Sequence, residues 1–309
     1  MMTDADGLAI VDLSQPAEVV ARDIAAACTT SGCFHLVQHG ISPRLLADVW
    51  EAMDAFFTLP LPQKQQCTPA NAADDRGYSS FGTENVAAFM GRRGEPNDPV
   101  EKFAFSNPAI VDPAVDVHGR PNVWPPVEGF QATMEAYYAA MKALSKTLFG
   151  HFAMALDVDV TYFASRTSTA PDSVKLNYYP PSSSRRRFAE HTDSVPFTIL
   201  NLDATRDALL VQTRSSDAWV PVNAQPNGLF VNLGDVLQRW TNDAWVATPH
   251  RVDGGHGLRK SIACFIMLNG DATIECIPSC EHITHGAKYP PITFHAFVQE
   301  KMQRLVGLP

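Results

Sequence analysis

The spacing of hydrophobic positions divides the first half of the chain into alternating strands and helices. Residues 8–13 and 33–38 form short apolar runs that predict β-strands. Residues 16–30 and 43–57 instead place apolar side chains on one face at helical spacing. A longer helical stripe covers residues 127–155 and predicts a helix long enough to support a sheet. The N-terminal third is therefore expected to mix α and β structure.

The pattern changes from residue 173 onward. Short runs rich in Val, Ile, Leu and Phe alternate with turn residues at a spacing of about 8–12 residues, which is typical of an all-β barrel or sandwich. A helical pattern returns over residues 292–306, and residues 68–100 are rich in loop-forming residues. The β runs are VKLNYY, VPFTILNL, ALLVQT, AWVPV, GLFVNLG, IACFIML and ATIECI.

Composition and charge limit the function classes. The chain has 309 residues, 45% of them hydrophobic, and a formal net charge of −9. This charge argues against nonspecific binding to nucleic acid or to an anionic membrane. No apolar run approaches the length of a membrane span, and the N-terminus lacks the basic and apolar regions of a signal peptide. The six cysteines form no CxxC pair, so a reducing cytoplasm is expected.

One cluster of side chains has the composition of a metal site. His191 and Asp193 lie two positions apart at the start of an apolar run, and strand residues with that spacing share a face. His250 is the best third ligand. Two imidazoles and one carboxylate suit iron(II) and leave positions open for oxygen and organic ligands. Because His and Asp also bind zinc, these residues alone leave a zinc hydrolase open.

A second pair of side chains suits a carboxylate ligand. Arg259 and Ser261 share a face of the next predicted strand, and a guanidinium binds a carboxylate in bidentate fashion. This pair fits the distal carboxylate of 2-oxoglutarate, whereas the alternative is an arginine in a surface salt bridge. Asn177 and Tyr179 also share a strand face and could contact the same acid, although ordinary aromatic packing explains a tyrosine equally well.

These motifs resemble the isopenicillin N synthase-like, 2-oxoglutarate-dependent iron(II) dioxygenases over nearly the whole chain. The N-terminal half contributes Ile10-Val11-Asp12, Gly32-Cys33-Phe34 and His39-Gly40-Ile41. The C-terminal half contributes NYYPP at 177–181, HTD at 191–193, WVPV at 219–222, VNLGD at 231–235, WTN at 240–242, HRV at 250–252 and the Arg259–Ser261 pair.

The resemblance implies a mainly β fold with flanking helices, built on a double-stranded β-helix (jelly-roll) core. We expect residues 1–125 to form an N-terminal α/β region and residues 126–170 a long spine helix with its connection. Residues 171–290 would form the jelly-roll catalytic core and residues 291–309 a C-terminal helix, all in one compact catalytic unit.

The resemblance also implies a chemistry. Fe(II) would be bound by His191, Asp193 and His250, with 2-oxoglutarate and O2 as co-substrates. The enzyme would hydroxylate, desaturate or cyclise a small molecule, with release of succinate and CO2. Two alternatives stay open: an Fe(II) oxidase of the same family that uses no 2-oxoglutarate, and a catalytically silent jelly-roll binding module. The sequence leaves the oligomeric state and the substrate open.

Substrate contacts are expected from three regions: the loop at 76–93, the strand at 101–106 and the end of the barrel. For the charged candidates the alternative is a solvated loop position. The run Arg185-Arg186-Arg187 is expected to be a solvated loop just ahead of the metal strand, and the alternative is that it neutralises an acidic substrate near the mouth of the site. The candidate substrate residues are Arg76, Tyr78, Arg92, Arg93, Lys102, Phe103 and Phe265.

Overall fold

The structure, a computed structural model, describes residues 1–70, 75–109, 121–214, 218–254, 256–283 and 285–306. Within these ranges the α-helices are α1 Ala17–Thr30, α2 Pro43–Phe57, α3 Leu61–Gln65, α4 Val86–Phe89, α5 Phe130–Ala155, α6 Asp235–Trp240 and α7 Phe294–Val306. The last three residues of the expected C-terminal helix, 307–309, lie outside the described residues.

The strands form two facing sheets and a separate two-stranded sheet. The strands are β1 Met2–Thr3, β2 Ala9–Asp12, β3 Cys33–Val37, β4 Gly77–Ser79, β5 Glu101–Ser106, β6 Ser173–Tyr179, β7 Arg186–His191, β8 Phe197–Leu202, β9 Leu209–Gln212, β10 Trp219–Val222, β11 Leu229–Leu233, β12 His250–Asp253, β13 Arg259–Ile266, β14 Thr273–Ile274 and β15 Ile292–Thr293. The nine-stranded major sheet has the order β1-β2-β3-β11-β8-β13-β6-β5-β4. The minor sheet has the order β10-β9-β12-β7, and β14 pairs with β15.

The major sheet is covered on both faces. One face packs against α1, α2 and α5 in the large hydrophobic core, which includes Leu176, Ile199 and Ile262. The other face turns towards the minor sheet and a smaller apolar cluster that includes Leu200 and Ala263. A strand that is buried on both sides reads as a continuous apolar run, which explains why β8, β11 and β13 show little alternation.

The sequence-based elements are confirmed for the N-terminal strands, the three long helices and most β runs. Two expectations are wrong. The arginine run is not a solvated loop, because Arg186 and Arg187 lie in β7 and Arg187 is buried, donating hydrogen bonds to the carbonyls of Pro180 and Gly257. In the run ATIECI at 272–277, only Thr273 and Ile274 form a strand.

All six cysteines are free, and five of them are buried. Cys28, Cys33 and Cys264 occupy core positions, as their apolar surroundings predict. Among the described residues, none of the helices has the length and apolar character needed to cross a membrane.

An aromatic cluster ties the helical layer to the edge of the major sheet. Phe56 in α2 lies with its ring centroid 4.8 Å from that of Phe103 and 5.7 Å from that of Phe130. It also contacts the rings of Phe57 and Tyr78. The side chain is completely buried. Phe56 therefore joins α2, α5 and β5 in one packed contact.

Phe56→Ala is expected to lower the free energy of unfolding by about 3–5 kcal/mol, because it leaves a cavity where three elements meet. Urea unfolding followed by circular dichroism measures the change. Phe81→Ala is the matched control, since Phe81 is 51% exposed, and its effect should stay within about 0.5 kcal/mol. Equal effects of the two substitutions would contradict this account of the core.

Candidate metal and co-substrate site

Three potential metal ligands converge between the two sheets. His191, Asp193 and His250 each offer one ligand atom, and these atoms lie within 4.8 Å of one another. The Oδ1 atom of Asp193 is 3.7 Å from Nε2 of His191 and 3.8 Å from Nε2 of His250. Among the described residues, this is the one group of three or more His, Cys, Asp or Glu side chains that could hold an ion. The cluster predicted from the sequence is therefore brought together by the fold.

The two histidines meet across paired strands. His191 ends β7 and His250 begins β12, and the two residues are direct partners in the antiparallel ladder. The ladder then shifts: His250 and Val252 are two residues apart, whereas their partners His191 and Phe188 are three apart. Such a β-bulge turns the strand locally. As a result, Phe188 and His191 both line the cavity although they are an odd number of residues apart.

Asp193 does not share a strand with His191, which corrects the argument made from the sequence. It follows β7, and its carbonyl accepts a hydrogen bond of 2.9 Å from the amide of Asp235. Gly234 permits this close approach, because a Cβ there would lie 2.1 Å from the carbonyl oxygen of Val195. The carboxylate is thus positioned by a backbone contact with the start of α6.

Hydrogen bonds leave the ligand atoms free. Nδ1 of His191 and Nδ1 of His250 lie 2.8 Å and 3.0 Å from the carbonyls of Ala189 and Thr248. A carbonyl can only accept, so each Nδ1 carries a proton, and in the neutral form of such a ring the lone pair lies on Nε2. The Oδ2 atom of Asp193 accepts hydrogen bonds from Thr198 at 2.6 Å and Asn232 at 2.9 Å, which leaves Oδ1 to face the imidazoles.

The electrostatics of the cluster suit a cation. Burial, followed by the proximity of His250, holds the pKa of His191 well below its usual range, so the imidazole is neutral at pH 7. Burial opposes ionisation of Asp193, but the two imidazoles and two hydrogen-bond donors outweigh it and lower the pKa of this carboxyl. Neutral imidazoles and one carboxylate are the protonation states that metal binding requires.

The predicted co-substrate residues form one patch on the cavity face of the major sheet. Arg259 pairs with Tyr179 and Ser261 with Asn177 in the ladder between β13 and β6. The guanidinium of Arg259 lies 4.8 Å from the centroid of the Tyr179 ring, and its Nη1 donates to Oγ of Ser261 at 3.3 Å. Arg259 is only 5% exposed. Among the described residues, Arg259 forms no ion pair with a carboxylate.

Both groups open into one cavity of about 610 Å³. Of the candidate substrate residues, Lys102 and Phe265 line it. Phe103 and Tyr78 instead pack in the aromatic cluster around Phe56. The fold therefore does not support a substrate contact by Phe103 or Tyr78.

The three candidate arginines also lie away from the cavity lining. Arg76 is buried and donates to the carbonyl of Asp75 at 2.6 Å. Arg92 donates to the carbonyl of Glu190 from the protein surface, and Arg93 is exposed. The alternative given for the charged candidates, a solvated loop position, fits the exposed Arg92 and Arg93 but not the buried Arg76.

Sequence reasoning missed several cavity residues. Lys175, Glu84 and Asp75 line the cavity, and Phe188 packs edge-on against His191 with ring centroids 5.2 Å apart. A signal for Lys175 existed, because it lies two residues before Asn177 and so shares its strand face. Glu84 and Asp75 fall in the loop-rich region, where spacing carries no such information. From the C-terminal helix, Phe294, Val298 and Lys301 also line the cavity.

Comparison with known families agrees with the fold and the site. Residues 8–127 match the family model described as non-haem dioxygenase in morphine synthesis, N-terminal. Residues 171–268 match the model of the 2OG-Fe(II) oxygenase superfamily. The chain belongs to the 2-oxoglutarate- and Fe(II)-dependent oxygenases. Fe(II), 2-oxoglutarate and O2 are the cofactor and co-substrates of this class.

Similar proteins extend along almost the whole chain. A 2-oxoglutarate-Fe(II) type oxidoreductase of Emericella nidulans is 28% identical over 93% of this chain and 85% of its own length. A homoarginine-6-hydroxylase of Oryza sativa is 28% identical over 98% and 91%. The crystal structure of a full-length Neurospora crassa protein in complex with α-KG has a TM-score of 0.85 and 27% identity, covering 99% of this chain and 98% of that one. This likeness confirms the jelly-roll core expected from the sequence.

Thr198→Val should weaken divalent metal binding by about 10- to 100-fold, because it removes one of the two donors that orient Asp193. Anaerobic titration with Fe(II) or Mn(II) measures the affinity. Thr147→Val on the exposed face of α5 is the control, since Thr147 bonds only within its helix. Unchanged affinity in Thr198→Val would show that Asn232 alone suffices to hold the carboxylate.

Proposed function

We propose that His191, Asp193 and His250 are the iron ligands of this oxygenase, and that Arg259 with Ser261 binds the distal carboxylate of 2-oxoglutarate. One observation carries the proposal. A buried guanidinium that lacks a carboxylate partner among the described residues faces the same cavity as three converging ligand atoms. An unpaired buried charge is costly, so Arg259 favours a ligand that brings the missing anion.

The three ligands fit Fe(II) by type and number. His191 and His250 would bind through Nε2, and Asp193 through the Oδ1 atom that faces them. When bound, Fe(II) and 2-oxoglutarate supply oxygen activation, in which 2-oxoglutarate is oxidatively decarboxylated to succinate and CO2. Thr198 and Asn232 keep Asp193 ionised and oriented, and the carbonyls of Ala189 and Thr248 fix the histidine tautomers.

The surrounding side chains would position the co-substrate. Tyr179 lies under the guanidinium of Arg259 and limits its movement, while Ser261 offers a second donor beside it. Asn177 is the ladder partner of Ser261 and lines the same cavity. We propose that Asn177 and Tyr179 contact 2-oxoglutarate. The bidentate geometry of an arginine would then set the direction in which the acid points towards the metal ligands.

The proposed substrate is a small molecule that undergoes hydroxylation. In that reaction a C–H bond, O2 and 2-oxoglutarate give a C–OH group, succinate and CO2. The size of the cavity, about 610 Å³, suits a small organic ligand together with the co-substrate. Two relatives support hydroxylation by their names: the homoarginine-6-hydroxylase above and a proline hydroxylase of Petromyces alliaceus, 27% identical over 88% of each chain.

We also propose that the four segments expected from the sequence, 1–125, 126–170, 171–290 and 291–309, work as one catalytic unit. Strands β1 to β5 continue the same major sheet as β6, β8, β11 and β13, and α7 contributes Phe294 and Val298 to the cavity. The free cysteines support the expected cytoplasmic location.

The function is tested by oxygen uptake and succinate release from pools of small metabolites, each measured with and without 2-oxoglutarate. We expect succinate release that requires both Fe(II) and 2-oxoglutarate and rises with one pool. Oxygen uptake without succinate would favour the oxidase alternative. If anaerobic titration detects no iron binding that His191→Ala abolishes, the silent binding module would replace the enzyme.

Arg259→Ala should raise the concentration of 2-oxoglutarate needed for half-maximal succinate release by about 10- to 100-fold, because a charge-assisted hydrogen-bond pair is lost. Fe(II) affinity should be unchanged. Arg22→Ala is the matched control, since the Arg22 side chain is 66% exposed. An unaltered 2-oxoglutarate requirement in Arg259→Ala would remove this residue from the co-substrate site.

A further inference from the structure

Besides Lys301, which pairs with Asp235, four charged side chains line the cavity outside the proposed iron and 2-oxoglutarate sites. Lys102 pairs with Glu84 at 2.8 Å between Nζ and Oε2. Lys175 pairs with Asp75 at 2.7 Å between Nζ and Oδ2. All four residues line the same cavity as the metal cluster. We call this set the charged quartet.

The two lysines occupy fixed positions on the major sheet. Lys102 in β5 pairs with Asn177, and Ala104 pairs with Lys175 in β6. Lys102 and Lys175 are therefore diagonal neighbours on one sheet face, within reach of each other. Asn177 is also the ladder partner of Ser261. Lys175 thus lies on β6, directly next to the Arg259 strand β13, and Lys102 lies one strand further away on β5.

The two carboxylates approach from a different part of the chain. Asp75 precedes β4, and Glu84 lies between β4 and α4. Their side chains are 35% and 30% exposed, whereas those of Lys175 and Lys102 are 22% and 7% exposed. The quartet therefore places its cations on the sheet wall and its anions nearer to solvent.

Aromatic rings connect the quartet to the metal cluster. Nζ of Lys102 lies 5.4 Å from the ring centroid of Phe188, which in turn packs against the ring of His191. Nζ of Lys175 lies 5.3 Å from the ring centroid of Phe265. The rest of the nearby lining includes the apolar side chains of Val86 and Phe89. Water screens charges weakly in such surroundings, so charge balance controls which ligands fit.

The protonation states support this view. Burial, and then the charge of Lys175, lowers the pKa of Lys102. Burial also opposes the charge on Lys175, but Asp75 and Glu84 outweigh it and raise its pKa. Each lysine therefore depends on the carboxylates opposite it. Two cations and two anions leave the quartet itself without net charge, and Arg76, whose charge also acts on Lys175, lies outside the cavity lining.

The zero net charge of the quartet favours some classes of ligand over others. A ligand with a single negative or positive charge would leave the quartet with a net charge in an apolar cavity. A ligand that carries one carboxylate and one ammonium group keeps the net charge of the site at zero. Its carboxylate gives the lysines a further partner, and its ammonium group does the same for Glu84 and Asp75. We propose that the quartet binds the charged end of an amino-acid-like substrate, with its carboxylate on Lys102 and Lys175 and its ammonium group on Glu84 and Asp75.

The proposal rests on the proposed function and narrows its substrate class. Phe188 separates Lys102 from His191. A substrate held by the quartet therefore reaches the metal cluster with its side chain, so the oxidised carbon lies in the side chain. The apolar lining favours a side chain that is itself largely apolar.

Binding can be measured without turnover. Anaerobic calorimetry on the full chain loaded with Fe(II) and 2-oxoglutarate would use the proteinogenic L-amino acids as probes. For each amino acid that binds, the deaminated acid and the decarboxylated amine are then titrated. Both analogues should bind at least about tenfold more weakly, because each lacks one charged contact.

Two substitutions separate the two contacts. In Lys102→Gln, the ratio of affinities for the amino acid and the decarboxylated amine should fall by about tenfold, because the carboxylate loses its partner. In Glu84→Gln, the ratio of affinities for the amino acid and the deaminated acid should fall by about tenfold, because the ammonium group loses its partner. Lys146→Gln and Glu18→Gln, at exposed positions on α5 and α1, are the matched controls and should change neither. Glu84 is the more exposed partner, so Glu84→Gln keeps the test decisive if Lys102→Gln fails to fold.

Three results would overturn the proposal: no amino acid binds, a singly charged or neutral analogue binds as tightly as the amino acid, or both quartet variants retain the full selectivity. Binding of 2-oxoglutarate is measured first in every sample. If the unaltered protein does not bind 2-oxoglutarate, the proposed function itself is refuted. Intact 2-oxoglutarate binding with no amino-acid binding would refute only the charged quartet as the substrate site.

Discussion

The register of β13 is the constraint on which the rest of the site depends. This strand pairs along its length with β6 on one side and β8 on the other. A shift of one residue would turn Arg259 and Ser261 away from the cavity and bring Lys260 and Ile262 into it. The helical layer prevents that shift, because Ile262 is buried in the core beneath it and Lys260 forms an ion pair with Asp54 of α2. Packing on one face of the sheet thus fixes the chemistry on the other.

The minor sheet contributes its ligands through irregular structure instead. The bulge in β7 brings Phe188 and His191 to the same side, and the contact between Asp193 and the start of α6 positions the carboxylate outside any strand. A regular ladder would place only alternate residues in the cavity. The major sheet therefore supplies a regular wall for the organic ligands, while the irregular part of the minor sheet gathers side chains that must converge on one point.

Sequence reasoning was reliable where one interaction dominates. The apolar stripe of α5 predicted a helix because its burial follows a single face. His191, Asp193 and His250 were predicted as one cluster because few segments combine two imidazoles with a carboxylate, and the fold brings their ligand atoms together. It failed where tertiary contacts decide. In β5, Phe103 turns towards the helices and Lys102 towards the cavity, a choice set by the partners of the strand. β7 was missed because its arginines look solvated, although Arg187 is buried against backbone carbonyls.

Charge compensation explains how one cavity can hold several ligands in an ordered way. The carboxylate of Asp193 accepts hydrogen bonds from Thr198 and Asn232 through Oδ2, while its Oδ1 atom faces the two imidazoles. Arg259 is in the opposite situation, since it is buried and meets no carboxylate of the described chain, so the 2-oxoglutarate proposed beside it would bring the missing anion. The lysines of the charged quartet already have carboxylate partners, so the substrate proposed for them would carry both signs of charge. Because unbalanced buried charge is costly, each part of the cavity would favour a different class of ligand. Under these proposals, the co-substrate and the substrate would occupy separate ends of a space that both could otherwise enter.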